Sequence, residues 1–229
     1  MDSKVECVCY RNCGDEDVTP GFLAQLMSQF YYLGWMSGSA GAIAVATDNS
    51  VYVSPSGLQK ERLCGADFFE YDVKWNELIY RPPNKLIRET ACSPLFKYIM
   101  QTRDAKCVFH THSKYSNVLS SLITGKEFRM TNQEMIKGIL CGKSGENLQN
   151  SDNLRVPIIE NQNSEHLLLQ DLKKALQEDP KICAVLVRNH GIFVWGPTWD
   201  KTKIMLECFE YLFEIACETY RLRSSPLIK

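Results

Sequence analysis

The sequence predicts a single α/β domain, and three observations carry that reading. Strand-like and helix-like patterns alternate on one length scale along the whole chain. Its 229 residues, 45% hydrophobic and 23% charged, suffice for one sizeable core and are too apolar for a disordered chain. No internal repeat, low-complexity tract or linker interrupts the pattern.

The elements follow in order. Residues 1–18 lack apolar periodicity and carry Gly14-Asp15-Glu16-Asp17, which predicts a flexible tail ahead of a domain over 19–229. Thr19 before Pro20 signals a helix start, and Phe22, Leu23, Leu26, Met27, Phe30 and Leu33 recur at helical spacing up to Gly34. A small-residue loop, Ser37 to Gly41, leads into a hairpin of Ala42 to Ala46 and Val51 to Val53 across the turn Thr47 to Ser50. Ser54-Pro55-Ser56-Gly57 reads as a second turn, and Asp67 to Val73 as a strand. Ser93-Pro94 starts a helix through Arg103. Lys106 to His110 is a strand, and a helix runs from Ser113 to about Ile123. Further strands are expected at Val156–Ile159, Ile182–Val187 and Ile192–Trp195, with helices at about Ser164–Glu178 and Thr198–Leu222.

Charge and composition exclude several functions. Lys plus Arg total 26 against 27 Asp plus Glu, so no global field gathers nucleic acid or an anionic membrane. No apolar run approaches the roughly 20 residues of a membrane-spanning helix. The N-terminus has no basic segment followed by an apolar one, which predicts a cytoplasmic, reducing location. The ten cysteines are scattered and are expected to be free thiols. Cys7, Cys9 and Cys13 cluster in the tail, without a second Cys or His pair at structural-zinc spacing.

Of four histidines, two stand as His110-Thr111-His112 at the end of an apolar strand. Side chains at i and i+2 of an extended segment share a face, so both imidazoles can reach one ion; the plainer alternative is a pair of exposed strand-end histidines. His190 follows the apolar strand Ile182–Val187, in the turn Arg188-Asn189-His190-Gly191. Three histidines without a fourth protein ligand describe a catalytic zinc site with an open position. His166, within an amphipathic stretch, reads as a surface residue. Ser39, Gly41, Ser54, Ser56 and Gly57, with Lys60 nearby, offer hydroxyls and backbone amides that can surround a phosphate, although such residues also mark plain turns.

A series of motifs then occurs in order: Gly34-Trp35, Ser54 through Arg62 (SPSGLQKER), Cys92-Ser93-Pro94-Leu95-Phe96, His110 through Lys114 (HTHSK), Gln133 through Gly138 (QEMIKG), Val156 through Asn161 (VPIIEN) and Cys183 through Gly191 (CAVLVRNHG). Together they resemble the class II aldolase and adducin family, and within it the dehydratases acting on 5-methylthioribulose 1-phosphate in methionine salvage, over about residues 20–220. The resemblance implies a three-layer α/β/α domain around a central, largely antiparallel sheet. It also implies one Zn2+ per subunit held by His110, His112 and His190, with Glu134 as catalytic acid/base and Cys92 contacting substrate. The implied assembly is a homo-oligomer, typically a tetramer, with active sites near subunit contacts.

Two rivals share these motifs. A sugar-phosphate aldolase of the same family carries a Ser-Ser-Glu segment, with the glutamate as base, where this chain has Ala91-Cys92-Ser93. An adducin-like interaction module has no use for an intact histidine triplet. The first loop reads Ala40-Gly41-Ala42 where relatives are richer in glycine; a positive φ at either alanine would strain the backbone and put phosphate binding there in question.

Overall fold

The computed structural model describes residues 18–223. The predicted flexibility of the tail and the Cys7, Cys9 and Cys13 cluster lie outside these residues. Val18, placed in the tail by its sequence context, is buried in the core.

Helix α1 spans Pro20–Tyr32; Thr19 caps it by accepting the Phe22 amide at 3.1 Å, and Leu23, Leu26, Met27 and Phe30 form its buried face. Strands β1 (Ala42–Ala46) and β2 (Ser50–Val53) form the expected hairpin, its turn closed by the Thr47 hydroxyl accepting the amides of Asn49 and Ser50. The next turn is more than a turn: Pro55–Ser56 (β3) pairs with a later segment as a two-stranded ribbon. After 3-10 turns at Lys60–Arg62 and Gly65–Asp67 come β4 (Phe69–Asp72), β5 (Leu78–Tyr80) and β6 (Arg88–Glu89), the partner of β3. Then follow α2 (Ser93–Arg103), β7 (Cys107–Thr111), α3 (Lys114–Leu122), β8 (Glu127–Met130) and a 3-10 turn at Glu134–Gly138. Strand β9 (Leu154–Ile159), helix α4 (Leu169–Glu178), β10 (Ala184–Val187), β11 (Gly191–Gly196) and α5 (Trp199–Arg223) complete the chain. The expected helix at 164–178 thus begins as a 3-10 turn, Glu165–Leu168, before α4 proper.

Nine strands form one sheet in the order β5-β4-β2-β1-β7-β11-β10-β9-β8, antiparallel everywhere except between β9 and β10. The sheet separates two apolar layers, which gives the three-layer α/β/α arrangement. One layer gathers α1, α5 and Ile136 against Ile43, Phe109 and Ile192. The other gathers α2 and α4 against Ala42, Val108 and Phe193. Central strands β7, β10 and β11 are buried on both faces, which explains their continuous apolar sequences. No helix among the described residues is long and apolar enough to cross a membrane.

Candidate metal centre

The site is built where β7 ends and β11 begins. Register places Ala42 of β1 and Phe193 of β11 opposite His110. Alternation along β7 sends Val108 and His110 to the α2 layer and Phe109 and Thr111 to the α5 layer. His110 stacks on Phe193, with centroids 4.0 Å apart and planes 11° apart. The His112 amide donates to the Trp35 carbonyl at 2.8 Å, which fixes the chain just beyond β7. His190 sits in the β10–β11 turn after Asn189, whose φ of 55° tightens that turn. At Gly191 the strands approach so closely that a Cβ would lie 1.9 Å from the Thr111 carbonyl oxygen, so only glycine fits.

The three imidazoles converge. Nε2 of His112 lies 2.8 Å from Nε2 of His110 and 2.9 Å from Nε2 of His190. Nδ1 of His110 lies 3.0 Å from the Ile192 carbonyl oxygen, an atom that only accepts, so the proton belongs on Nδ1 and the Nε2 lone pair faces inward. Asn161 Oδ1, 2.9 Å from Nδ1 of His190, orients the third ring in the same way. Burial lowers the basicity of all three: His110 falls well below the usual range, with help from the other two rings, and His112 falls to about 3, with His190 and Lys60 adding to the effect. With the lone pairs of His110 and His190 both directed at His112 Nε2, a single proton on that nitrogen can satisfy only one of them, whereas a cation satisfies all three rings. The donor set therefore fits a metal ion with three protein ligands and an open position.

Cys92 caps α2 and is 4% exposed, its amide donating to the Thr90 hydroxyl at 3.2 Å. Burial pushes its thiol up to about 12, against the opposing pull of the Thr90 hydroxyl and Lys60, so it is a thiol at neutral pH. Lys60 lies within electrostatic reach of both Cys92 and His112, which places the three residues in one neighbourhood.

The expected phosphate groups divide. Ser39, Ser56 and Gly57 are exposed. Ser54 is fully enclosed, and its hydroxyl accepts the Ile43 amide at 3.0 Å, which makes it a brace between β2 and β1. Lys60 is also fully enclosed, with Nζ donating to the carbonyls of Ser39 and Leu58. The altered glycine loop is unstrained. The positive φ of 79° falls on Gly41, and neither Ala40 nor Ala42 adopts one.

Glu134 does not join the converging histidines of its own chain. It opens the 3-10 turn Glu134–Gly138, pairs with Lys137, and its side chain is 71% exposed. Ile136 of that turn packs in the α5 layer, whereas His110 faces the α2 layer. His166 is exposed beside Ser164 and takes no part.

Three supporting residues escaped the sequence reading. Asn161 holds His190. Arg188 ties the His190 turn to the end of α3, donating to the Ser120 and Ile123 carbonyls at 2.6 Å each, to Gly125 at 2.9 Å, and to Glu160. Glu210 of α5, almost fully buried, accepts from the Thr111 hydroxyl at 3.3 Å behind the two histidines. The pairing of Glu160-Asn161 with Arg188 to His190 is the only signal of this bracing that the sequence carries, since both segments end neighbouring apolar strands.

With this fold and this histidine centre, residues 22–217 match the domain family described as class II aldolase and adducin N-terminal domain, and the chain belongs to that family. Within it, the chain is 46% identical over 214 residues to a probable methylthioribulose-1-phosphate dehydratase of Caenorhabditis elegans, covering 93% of this chain and 81% of the relative. It is 43% identical to the methylthioribulose-1-phosphate dehydratase of Mus musculus, covering 95% and 91%. Among solved structures, an L-fuculose 1-phosphate aldolase superposes with a TM-score of 0.69 at 18% identity, over 91% of this chain and 88% of that one. YgbL of Klebsiella pneumoniae, a putative aldolase/epimerase/decarboxylase, gives 0.69 at 18% identity, over 92% of each chain.

Proposed function

We propose that this protein is a lyase that dehydrates 5-methylthioribulose 1-phosphate to 2,3-diketo-5-methylthiopentyl 1-phosphate, a step of methionine salvage in the cytoplasm. The observation that carries this reading is the pairing of the converging histidines with Ala91-Cys92-Ser93, where an aldolase has its carboxylate base. High identity to proteins named for this dehydration supports it over most of the chain.

His110, His112 and His190 would hold one zinc ion per subunit, which when bound supplies Lewis acidity toward a substrate carbonyl. The remaining chemistry is proton management. Removing the C3 proton and expelling the C4 hydroxyl as water leaves an enol, which becomes the 2,3-diketone. One group must take up the C3 proton and one must protonate the departing hydroxyl, and Glu134 is assigned as the acid/base that carries the proton from the first position to the second. Cys92, a neutral thiol at the neck of α2, is assigned as a hydrogen-bonding contact to substrate.

Because Glu134 pairs with Lys137 on a turn anchored in the α5 layer and does not join the three histidines of its own chain, the donor is assigned to a neighbouring subunit of a homo-oligomer, a tetramer in this reading. The test is metal analysis of the purified protein, followed by incubation of zinc-loaded protein with methylthioribulose 1-phosphate beside fuculose 1-phosphate. Diketone from the first substrate alone supports the proposal; aldol cleavage of the second with no diketone overturns it.

A further inference from the structure

Lys60 is the only lysine among the described residues that is fully enclosed. An ammonium group in such a place is costly unless acceptors meet its protons. Two acceptors do: the Ser39 carbonyl at 2.9 Å and the Leu58 carbonyl at 3.0 Å. They belong to different segments. Ser39 lies in the loop that enters β1 beside His110, and Leu58 follows the β3 turn through Ser56 and Gly57. Both loops present exposed small residues, Ser39 on one and Ser56 and Gly57 on the other, while the charge behind them has no exposed surface with which to touch a ligand.

We propose that Lys60 is a positioning residue that clasps the Ser39 loop to the Gly57–Leu58 turn, so that together they form one cradle for the phosphate of the substrate, which Lys60 itself does not touch. This inference rests on the sugar-phosphate reading given above. Removing the ammonium leaves two carbonyls without their charged donor and lets the loops part. A lysine that met phosphate directly would behave as a point charge, replaceable by arginine. A clasp in a closed slot would not be, because the guanidinium fork is larger than the ammonium it replaces.

The test compares zinc-loaded wild type with Lys60→Met and Lys60→Arg, reading zinc content, KM and kcat for methylthioribulose 1-phosphate, and inorganic phosphate binding by calorimetry. Expected for both variants are unchanged zinc content, a kcat within a few-fold of wild type, and a KM and a phosphate Kd raised roughly ten- to a hundredfold, the usual weight of a lost charge-assisted hydrogen bond. Near-normal KM in Lys60→Arg with a poor Lys60→Met would show direct charge contact and overturn the clasp. A fall in kcat and zinc content with KM unchanged would also overturn it, by showing a general structural part. If Lys60→Met fails to fold, Lys60→Gln is read in the same way. If wild type does not turn over the sugar phosphate, the proposed activity fails, and the phosphate titration still decides: equal Kd in wild type and variant refutes the clasp.

Discussion

Asn161 Oδ1 lies 2.9 Å from Nδ1 of His190, and this contact turns the opposite ring nitrogen toward His112. Asn161→Leu should keep the fold but loosen the ring. Because outer partners of metal-ligating histidines typically contribute about ten- to a hundredfold in metal affinity, zinc affinity measured by chelator competition should fall by that factor. Unchanged affinity would mean that the turn alone holds the ring.

Replacement of His110, His112 or His190 by Ala should each remove the bound metal, since two neutral imidazoles are too few for a stable site. His166→Ala should leave metal content at the wild-type level, because that ring is exposed beside Ser164. Elemental analysis of the four purified variants decides the assignment, and metal retained in His190→Ala would refute it.

Glu134→Gln keeps the shape of the side chain but cannot transfer a proton, so diketone formation should drop by about 10²- to 10⁴-fold with zinc retained. That Glu134 pairs with Lys137 and does not join the histidines of its own chain adds a sharper expectation. Glu134→Gln and His190→Ala chains, each inactive alone, should regain part of the wild-type rate when co-expressed, because some sites then pair an intact triplet with an intact glutamate. Absence of any recovery in verified mixed oligomers would refute a donor supplied by another subunit.

Gly41→Ala should destabilise the protein. The added Cβ would lie 2.6 Å from Met36 Cγ and 3.0 Å from the His110 carbonyl oxygen, at a φ of 79° that side chains rarely adopt. Strain and overpacking of this kind cost about 1–3 kcal/mol each, and for a domain of this size each kcal/mol lowers Tm by roughly 2–4 °C. Calorimetry showing an unchanged Tm would mean that the loop has another relaxed conformation.

Burial raises Glu210 from 4.5 to about 7, against the downward pull of its hydrogen bonds with Ser113 and Thr111, and its Oε2 has no partner. A carboxyl whose folded value is raised contributes fully to stability below its unfolded value and loses that contribution as pH rises through the folded value. Stability should therefore decline between about pH 4.5 and pH 7, by on the order of 3 kcal/mol from this group. Glu210→Gln removes the ionisation, so its stability relative to wild type should rise across that window and level off above it. Denaturant melts at several pH values give the comparison; parallel curves for the two proteins would count against the buried ionisation.

What the sequence determined by itself was local. Helix starts at Thr19-Pro20 and Ser93-Pro94, the buried runs of β7, β10 and β11, and the shared face of His110 and His112 all depend on spacing along the chain, which hydrogen-bond caps and strand alternation translate directly into geometry. Edge strands β5 and β8 were not legible, because Leu78–Tyr80 is exposed throughout and Glu127–Met130 alternates a single buried residue with charges; each is a strand only because a neighbour pairs with it. The tertiary structure alone decided that Asn161 holds His190, that Lys60 turns inward to two carbonyls, and that the turn opened by Glu134 is anchored in the α5 layer while His110 faces the α2 layer. These are contacts between residues distant along the chain, and only the pairing order of the sheet and the packing of its two faces determine which of them meet.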